Sequence, residues 1–196
     1  MLDIFQSTKV IKAAEFAREL HKHQFRKDGV RPYFVHLEDV ARRVAQVTDN
    51  EDVIIAAFIH DGPEDIPGYT VAMVGERFGP HVADAVCQLT DVYVKSAYPE
   101  LNRKTRKQLE RKRYRTFSDA VKWIKLSDIA SNLFDDGGIL NADGTPEVGF
   151  MKMFVREKAL CLPYLRVVGD EKNEFLFAQA EKILREKAEK FHVKIG

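Results

Sequence analysis

Residues 50–65 read NEDVIIAAFIHDGPED, and this stretch decides the fold. Residues 53–59 are apolar on every side of a helix, which is typical of a helix buried in the middle of a protein. Asn50 is a residue type that caps helix N-termini, so we predict that a central helix begins directly after it. The helix then ends in two ionisable residues, His60 and Asp61, which would lie beside the core.

Helical periodicity dominates on both sides of this stretch. Apolar stripes with helical spacing run through 10–20 and 37–47, and Gly79 followed by Pro80 ends one helix and begins the next. The β-like run VRPYFVH, at 30–36, contains a proline and is predicted to be a turn. Further helical patterns cover 119–134, 150–162 and 170–191. The sequence therefore predicts an all-α fold.

The length of 196 residues fits one domain. We expect a single domain over residues 1–196, with the chemical motifs inside 13–134 and the C-terminal helices at 150–191 packed on it. Segment 135–149 is rich in Gly, Asp and Asn and is the one long loop that we expect. A loop of that length often covers a functional site.

Composition and charge exclude several classes of protein. Lys and Arg number 31 against 30 Asp and Glu, so the net charge of +1 argues against a globally basic nucleic-acid binder. No apolar run approaches the roughly 18 residues that a membrane helix needs, and MLDIFQSTKV lacks signal-peptide features. We therefore expect a cytoplasmic protein. Cys87 and Cys161 show no metal-binding or redox spacing, and both are predicted to be core residues.

Four ionisable residues follow the central helix within six positions: His60, Asp61, Glu64 and Asp65. If helical geometry persists, each of the first two lies on the same side of the chain as the residue four positions later. Pro63 makes an unbroken helix doubtful. A structural reading also exists, in which His60 is a hydrogen-bonded core histidine and Asp61 ends the helix.

Other parts of the chain offer residues of the same kind. His36 precedes an amphipathic helix, and Asp128 lies among apolar residues in WIKLSDIASN. Asn132 and Lys125 share a helical face with Asp128. The set of two histidines and two carboxylates suits a divalent metal such as Mn, Fe or Zn, and it favours chemistry over the structural reading.

Four runs of residues carry a family resemblance. They are AAEFARELHKHQFRKDGVRPYFVH at 13–36, AAFIHDGPED at 56–65, TVAMVGERFGPHVADAVCQLTD at 70–91 and IKLSDIASNL at 124–133. In this order and at this spacing the chain resembles the HD-domain hydrolases of the Rel/SpoT type and their single-domain relatives, the small alarmone hydrolases, which include the metazoan SpoT homologue. The resemblance implies a helical HD-domain fold and hydrolysis of guanosine tetra- and pentaphosphate to GDP or GTP and pyrophosphate.

The resemblance also assigns roles to residues of this chain. It makes four residues the ligands of a single Mn²⁺, for which other divalent transition metals could substitute: His36, His60, Asp61 and Asp128. Glu64 and Asp65 become the acid/base pair. Asn132 becomes a contact to the sugar of the nucleotide, and Arg26 and Lys27 match the basic pair at the base-binding end of the pocket.

Residues 101–115 carry eight Lys and Arg against one Glu. Three readings stay open: a solvated basic helix, an RNA contact, and a segment that attracts a polyphosphate substrate. The family has a basic segment here, and LNRK is the better local match, so Arg103 and Lys104 are candidate substrate contacts. Lys152 and Arg156 occupy a part of the chain where relatives have further nucleotide contacts.

Departures from the family pattern keep other functions open. Gly62 and Pro63 stand where small and β-branched residues are common, and Ile129 and Ser131 replace a basic residue and a His or Tyr. One alternative is an HD hydrolase for another nucleotide, such as an NADPH 2′-phosphatase or a deoxynucleotide phosphatase. Another is an inactive nucleotide- or RNA-binding module. The expected partner is a guanosine polyphosphate, with no membrane and no specific nucleic acid; the oligomeric state, including a homodimer, is left open.

Overall fold

The computed structural model describes residues 4–134 and 147–195 of the chain. Within these residues it has helices and no β-strand, so the predicted all-α fold is confirmed. Ten α-helices follow one another: α1 (Thr8–Leu20), α2 (Phe34–Val44), α3 (Glu51–Ile59), α4 (Gly62–Asp65), α5 (Val71–Phe78), α6 (Pro80–Leu89), α7 (Arg103–Arg113), α8 (Asp119–Phe134), α9 (Val148–Cys161) and α10 (Glu171–Lys190). Most of the loop predicted at 135–149 lies outside the described residues.

The helices begin and end where capping chemistry predicts. Asn50 accepts a hydrogen bond from the backbone N–H of Asp52 at 3.0 Å, which satisfies one of the free donors at the start of α3. Gly79 takes a φ of 92° between α5 and α6, a left-handed conformation that favours glycine. Ser7 is an exception, since its side chain donates to Glu51 and does not cap α1.

The helix α3 is the centre of the fold. All six residues from Ile54 to Ile59 are buried, which confirms the predicted central helix. It packs against α1, α2, α6 and α8, so each of its sides faces another helix. The residue that follows α3, His60, is therefore held in the interior of the protein with an exposed fraction of 2%.

The helix α8 forms a second buried axis. Residues 126–131 of this helix are all buried, and α2 and α10 pack along it. The last helix, α10, also contacts α9, so α10 links α9 to α8. This packing brings Asp128 on α8 opposite His36 on α2.

Some local expectations are confirmed and others are wrong. Residues 30–33 of VRPYFVH form a turn that leads into α2, with an isolated antiparallel bridge between Phe25 and Pro32, and residues 34–36 are the first residues of that helix. Cys161 is buried as predicted, but Cys87 is exposed because the buried stripe of α6 runs through its neighbour Val86. Among the residues that the structure describes, no helix combines the length and hydrophobicity of a membrane span.

Candidate active site

Three of the predicted metal ligands come together from three helices. His36 lies on α2, His60 follows the last residue of α3, and Asp128 lies on α8. His36 Nε2 is 3.4 Å from Asp128 Oδ1, and His60 Nε2 is 3.9 Å from the same oxygen. One possible donor atom from each residue lies within 4.8 Å of the others, and all three residues are buried. The cluster has the size of a site for one metal ion.

The fourth predicted ligand, Asp61, borders the cluster with both carboxylate oxygens. Its Oδ1 is 3.1 Å from His60 Nε2 and its Oδ2 is 3.5 Å from His36 Nε2. Tyr33 donates its hydroxyl proton to Asp61 Oδ2 at 2.6 Å. Burial and the Asp61 carboxylate raise the pKa of Tyr33, so its hydroxyl stays protonated and holds the carboxylate in place.

In the described part of the chain, one nitrogen of each of the two histidines has no hydrogen-bond partner. These nitrogens, His36 Nε2 and His60 Nε2, are both buried. Carboxylate oxygens lie near them, but not in hydrogen-bonding geometry. Their other nitrogens are occupied: His36 Nδ1 contacts Ser131 Oγ at 3.0 Å, and His60 Nδ1 donates to the carbonyl oxygen of Ala57 at 2.8 Å. Metal-binding histidines have this arrangement, with one nitrogen anchored and the other directed at the ion. The residues therefore fit a metal ion.

Electrostatics at the cluster also favours a cation. Burial alone would lower the pKa of His60, but the adjacent Asp61 and Asp128 carboxylates raise it to about 9. Asp128 is buried, and Lys125 at 2.9 Å keeps the pKa of its carboxyl well below the usual value despite that burial. A field that stabilises an extra proton on a buried imidazole stabilises a divalent ion at the same position.

The chain turns after Asp61 into the short helix α4, which carries both acid/base candidates. The backbone N–H groups of Glu64 and Asp65 donate to the carbonyl oxygen of Asp61 at 3.2 and 2.9 Å, so helical hydrogen bonding continues despite the proline. A Cβ atom on Gly62 would lie 2.9 Å from the ring of Tyr69. Glu64 and Asp65 therefore stay within one helical turn of Asp61 despite the Gly-Pro departure, and the glycine allows the close approach of Tyr69.

Each of these carboxylates has a different partner. Glu64 Oε1 accepts a hydrogen bond from the backbone N–H of Asp91 at 2.6 Å. Asp65 Oδ2 accepts one from the side-chain amide of Gln24 at 2.7 Å. Partial desolvation and the neighbouring Asp91 carboxylate raise the pKa of Glu64 to about 7, so this carboxyl can hold a proton near neutral pH.

A cavity of about 280 Å³ opens beside the cluster. It is lined by Gln24, Phe25, Arg26, Lys27, Tyr33, Asp65, Asn132, Phe150, Met151 and Phe154. Asn132 joins it to the cluster, since its side chain lines the cavity and donates to Asp128 Oδ1 at 2.5 Å. Four residues that the sequence singled out lie on its wall: Arg26, Lys27, Asp65 and Asn132.

The two basic residues of the cavity wall contact other residues that line the cavity. Arg26 donates to Asn132 Oδ1 at 3.0 Å, and its guanidinium lies 5.4 Å from the ring of Tyr33. Lys27 Nζ lies 4.2 Å from the centre of the Phe150 ring and 5.4 Å from that of Phe154. Lys27 therefore lies against the Phe150–Phe154 pair, whereas Arg26 lies against Tyr33 and Asn132.

Sequence reasoning missed that aromatic wall. Phe150 and Phe154 stack with their ring centres 5.7 Å apart, and Phe25, which is 51% exposed, lines the same cavity. Their helical spacing of four residues on α9 indicates one shared face. It does not indicate whether that face meets a core or a cavity.

Several basic residues of α7 are engaged with protein groups. Arg103 pairs with Glu157 of α9, and Lys107 pairs with Asp91 at 2.8 Å, which places α7 one contact away from Glu64. Lys104 is exposed. Within the part of the chain that the structure describes, neither Arg103 nor Lys104 lines the cavity, and the same holds for Lys152 and Arg156.

Comparison with known proteins gives one family and several relatives. A family model described as an HD domain matches residues 13–134. A guanosine-3′,5′-bis(diphosphate) 3′-pyrophosphohydrolase of Aquifex aeolicus is 39% identical over 84 residues, which is 43% of this chain. The mouse protein of the same name, MESH1, is 34% identical over 133 residues, which is 66% of this chain. A solved structure of a metazoan orthologue of SpoT, described as hydrolysing ppGpp, has a TM-score of 0.73 at 26% identity, with 92% of this chain and 96% of that chain covered.

The relatives differ in how much of their length is matched. The chain spans 12% of the Aquifex aeolicus protein and 17% of the Haemophilus influenzae one. It spans 70% of the mouse protein. The match is therefore to one part of the long bacterial proteins and to most of the short animal one.

Proposed function

The chain belongs to the HD domain family, and from that premise we propose that it is a metal-dependent hydrolase of guanosine tetra- and pentaphosphate that releases pyrophosphate from the ribose 3′ position. The observation that carries this proposal is the buried cluster of His36, His60 and Asp128 beside a polar and aromatic cavity. The names of the mouse and Aquifex aeolicus relatives support the reaction.

The proposed metal ligands are His36, His60, Asp61 and Asp128. Imidazole and carboxylate together suit Mn²⁺, Fe²⁺ or Zn²⁺, and we favour a single Mn²⁺ on the resemblance to the family. When bound, such an ion supplies an activated water and polarises the phosphoryl group under attack. Tyr33 and Ser131 hold Asp61 and His36 in the orientation that this requires.

The cavity supplies contacts of the kind that a guanosine polyphosphate needs. Phe25, Phe150 and Phe154 offer ring faces on which a purine can stack, at about 1–3 kcal/mol per base in comparable sites. Arg26 and Lys27 contribute positive charge at the same wall. Asn132 lies between this wall and the metal cluster, where a ribose would sit.

The acid/base roles are assigned to Glu64 and Asp65. Cleavage of the ribose 3′ O–P bond leaves an oxygen that must receive a proton, and Glu64 can hold one near neutral pH. Asp65 lies on the cavity wall, where a carboxylate can orient the attacking water. The alternative of an inactive nucleotide- or RNA-binding module is disfavoured because these carboxylates and the proposed metal ligands are all present.

Product analysis tests the proposal directly. The protein is incubated with Mn²⁺ and guanosine tetraphosphate, and products are separated by ion-exchange chromatography. We expect GDP and pyrophosphate in equal amounts, and no product when a chelator is present. Release of inorganic phosphate from NADPH or from a deoxynucleotide, with guanosine tetraphosphate intact, would instead support another HD hydrolase.

The basic helix α7 is proposed to attract the substrate through its field. Replacing Lys104 with glutamate breaks no ion pair among the described residues, so the change tests charge alone. We expect KM to rise about two- to fivefold at low salt, with kcat nearly unchanged, and to return to the wild-type value at high salt because ions screen the field. Lys182→Glu, an exposed lysine of α10, is the matched control. A KM that stays constant at low salt contradicts the attraction.

We also propose that α9 and α10 form one domain with residues 13–134, since α10 packs along α8. Arg103, Lys152 and Arg156 stay candidate substrate contacts that would need a change of side-chain position to reach the cavity. A cytoplasmic location stays a prediction.

A further inference from the structure

Gln24 stands between a buried histidine and one of the acid/base candidates. Its side-chain amide donates to Asp65 Oδ2 at 2.7 Å, and its Oε1 lies 2.6 Å from His21 Nδ1. Its backbone is fixed on both sides, because its N–H donates to the carbonyl oxygen of His21 and its own carbonyl accepts from Tyr33. The side chain therefore bridges Asp65 and the end of α1.

Only one orientation of the Gln24 amide satisfies both neighbours. A carboxylate can only accept hydrogen bonds, so the NH₂ group must face Asp65 and the carbonyl oxygen must face His21. That oxygen also only accepts, so His21 Nδ1 must carry a proton and donate it. The polar atoms thus form a directed chain from His21 through Gln24 to Asp65.

His21 is itself held firmly. It is 1% exposed, and its ring stacks on Tyr33 with ring centres 5.2 Å apart and planes 19° apart. Its Nε2 is buried and has no hydrogen-bond partner within residues 4–134 and 147–195. His21 directly follows the last residue of α1. Among the residues that the structure describes, Gln24 is the one polar contact of the His21 ring, which indicates that this contact is the reason for a histidine here.

We propose that Gln24 is a positioning residue that orients the Asp65 carboxylate towards the cavity, with His21 fixing the direction of the Gln24 amide. This inference rests on the proposed function, because Asp65 has its acid/base role there. Gln24 acts by removing the freedom of Asp65 to rotate about its side-chain bonds. Misplacement of a reacting group by about 1 Å can lower a rate by about 10²-fold.

A double-mutant cycle tests the proposal. We expect Gln24→Met, which keeps the length of the side chain and removes the donor, to lower kcat by about 10- to 100-fold with little change in KM. In the Asp65→Asn background the same change should cost almost nothing further, because the group that Gln24 orients has already lost its charge. Gln108→Met, at an exposed glutamine of α7, is the matched control.

A second variant separates positioning from folding. His21→Phe keeps the ring that stacks on Tyr33 and removes the unpartnered Nε2, so we expect no loss of thermal stability. It should nevertheless lower kcat, because the Gln24 amide is then free to turn. The loss should disappear in the Gln24→Met background.

Several outcomes would overturn the inference. Additive losses in the cycle, or a raised KM for Gln24→Met, would mean that Gln24 contacts the substrate itself. An unchanged kcat for Gln24→Met would mean that Asp65 needs no orientation.

A measurement without substrate distinguishes this failure from failure of the proposed function. In ¹⁵N-edited NMR spectra we expect His21 as the Nδ1–H tautomer, and a shift of the Gln24 amide signals in Asp65→Asn. If the wild type does not hydrolyse guanosine tetraphosphate, the proposed function is wrong, and these spectra still decide whether Gln24 holds Asp65. Unshifted amide signals would show that it does not.

Discussion

Replacing Asp128 with alanine is expected to abolish metal binding and to lower kcat/KM by at least about 10²-fold. A single oxygen of Asp128, Oδ1, approaches both His36 and His60, so loss of this carboxylate removes a negative charge shared by the two imidazoles. Loss of groups that only support a metal ligand already costs about 10- to 100-fold. Metal content is measured by inductively coupled plasma mass spectrometry on protein loaded with Mn²⁺.

The neighbouring Lys125 complicates this variant and suggests a control. Lys125 pairs with Asp128 at 2.9 Å, and removing one member of a buried pair costs about 3–5 kcal/mol. The double variant Lys125→Met/Asp128→Ala removes the stranded charge, so it should fold while still binding no metal. Asp119→Ala, at an exposed aspartate of the same helix, should keep one ion. Full metal occupancy in a folded Asp128 variant would remove this residue from the ligand set.

Converting Glu64 to glutamine or Asp65 to asparagine is expected to slow turnover by about 10²-fold or more while metal content and substrate affinity stay near wild type. Both amides retain an oxygen that can accept the existing hydrogen bonds from Asp91 and Gln24, so the local structure should persist. Single-turnover rates and substrate Kd by calorimetry, on metal-loaded protein, separate chemistry from binding.

The matched control for this pair is Glu76→Gln, at an exposed glutamate of α5. If both amide variants hydrolyse guanosine tetraphosphate at the wild-type rate, the carboxylates do not act in the reaction. If only one variant is slow, that residue carries the proton transfer.

A pH profile adds a signed test for Glu64. Its pKa is raised to about 7, so the carboxyl is protonated below that pH and able to donate to the leaving oxygen. We expect kcat to fall as the pH rises through about 7, and the corresponding limb to be absent in Glu64→Gln. If kcat of the variant also falls as the pH rises through about 7, the titrating group is not Glu64.

The sequence alone predicted most of the helices and the three residues of the candidate metal cluster. The bounds of a helix depend on interactions among residues that are close in sequence, so they can be predicted from the sequence. The signals were apolar residues at helical spacing, with Asn50 and the Gly79–Pro80 step at the helix ends. The motif residues His36, His60 and Asp128 were also found, because residue type and order carry the family resemblance, which the comparisons confirm.

Only the tertiary structure decided what surrounds the two carboxylates. Gln24 reaches Asp65 across 41 positions of sequence, and Asp91 reaches Glu64 across 27, through the packing of helices whose relative placement no local pattern encodes. In the sequence, Phe150 and Phe154 are two apolar residues on one helix face. Only the structure shows that this face of α9 borders the cavity. Local periodicity fixes which residues share a face, whereas the partner of that face depends on how the whole core closes.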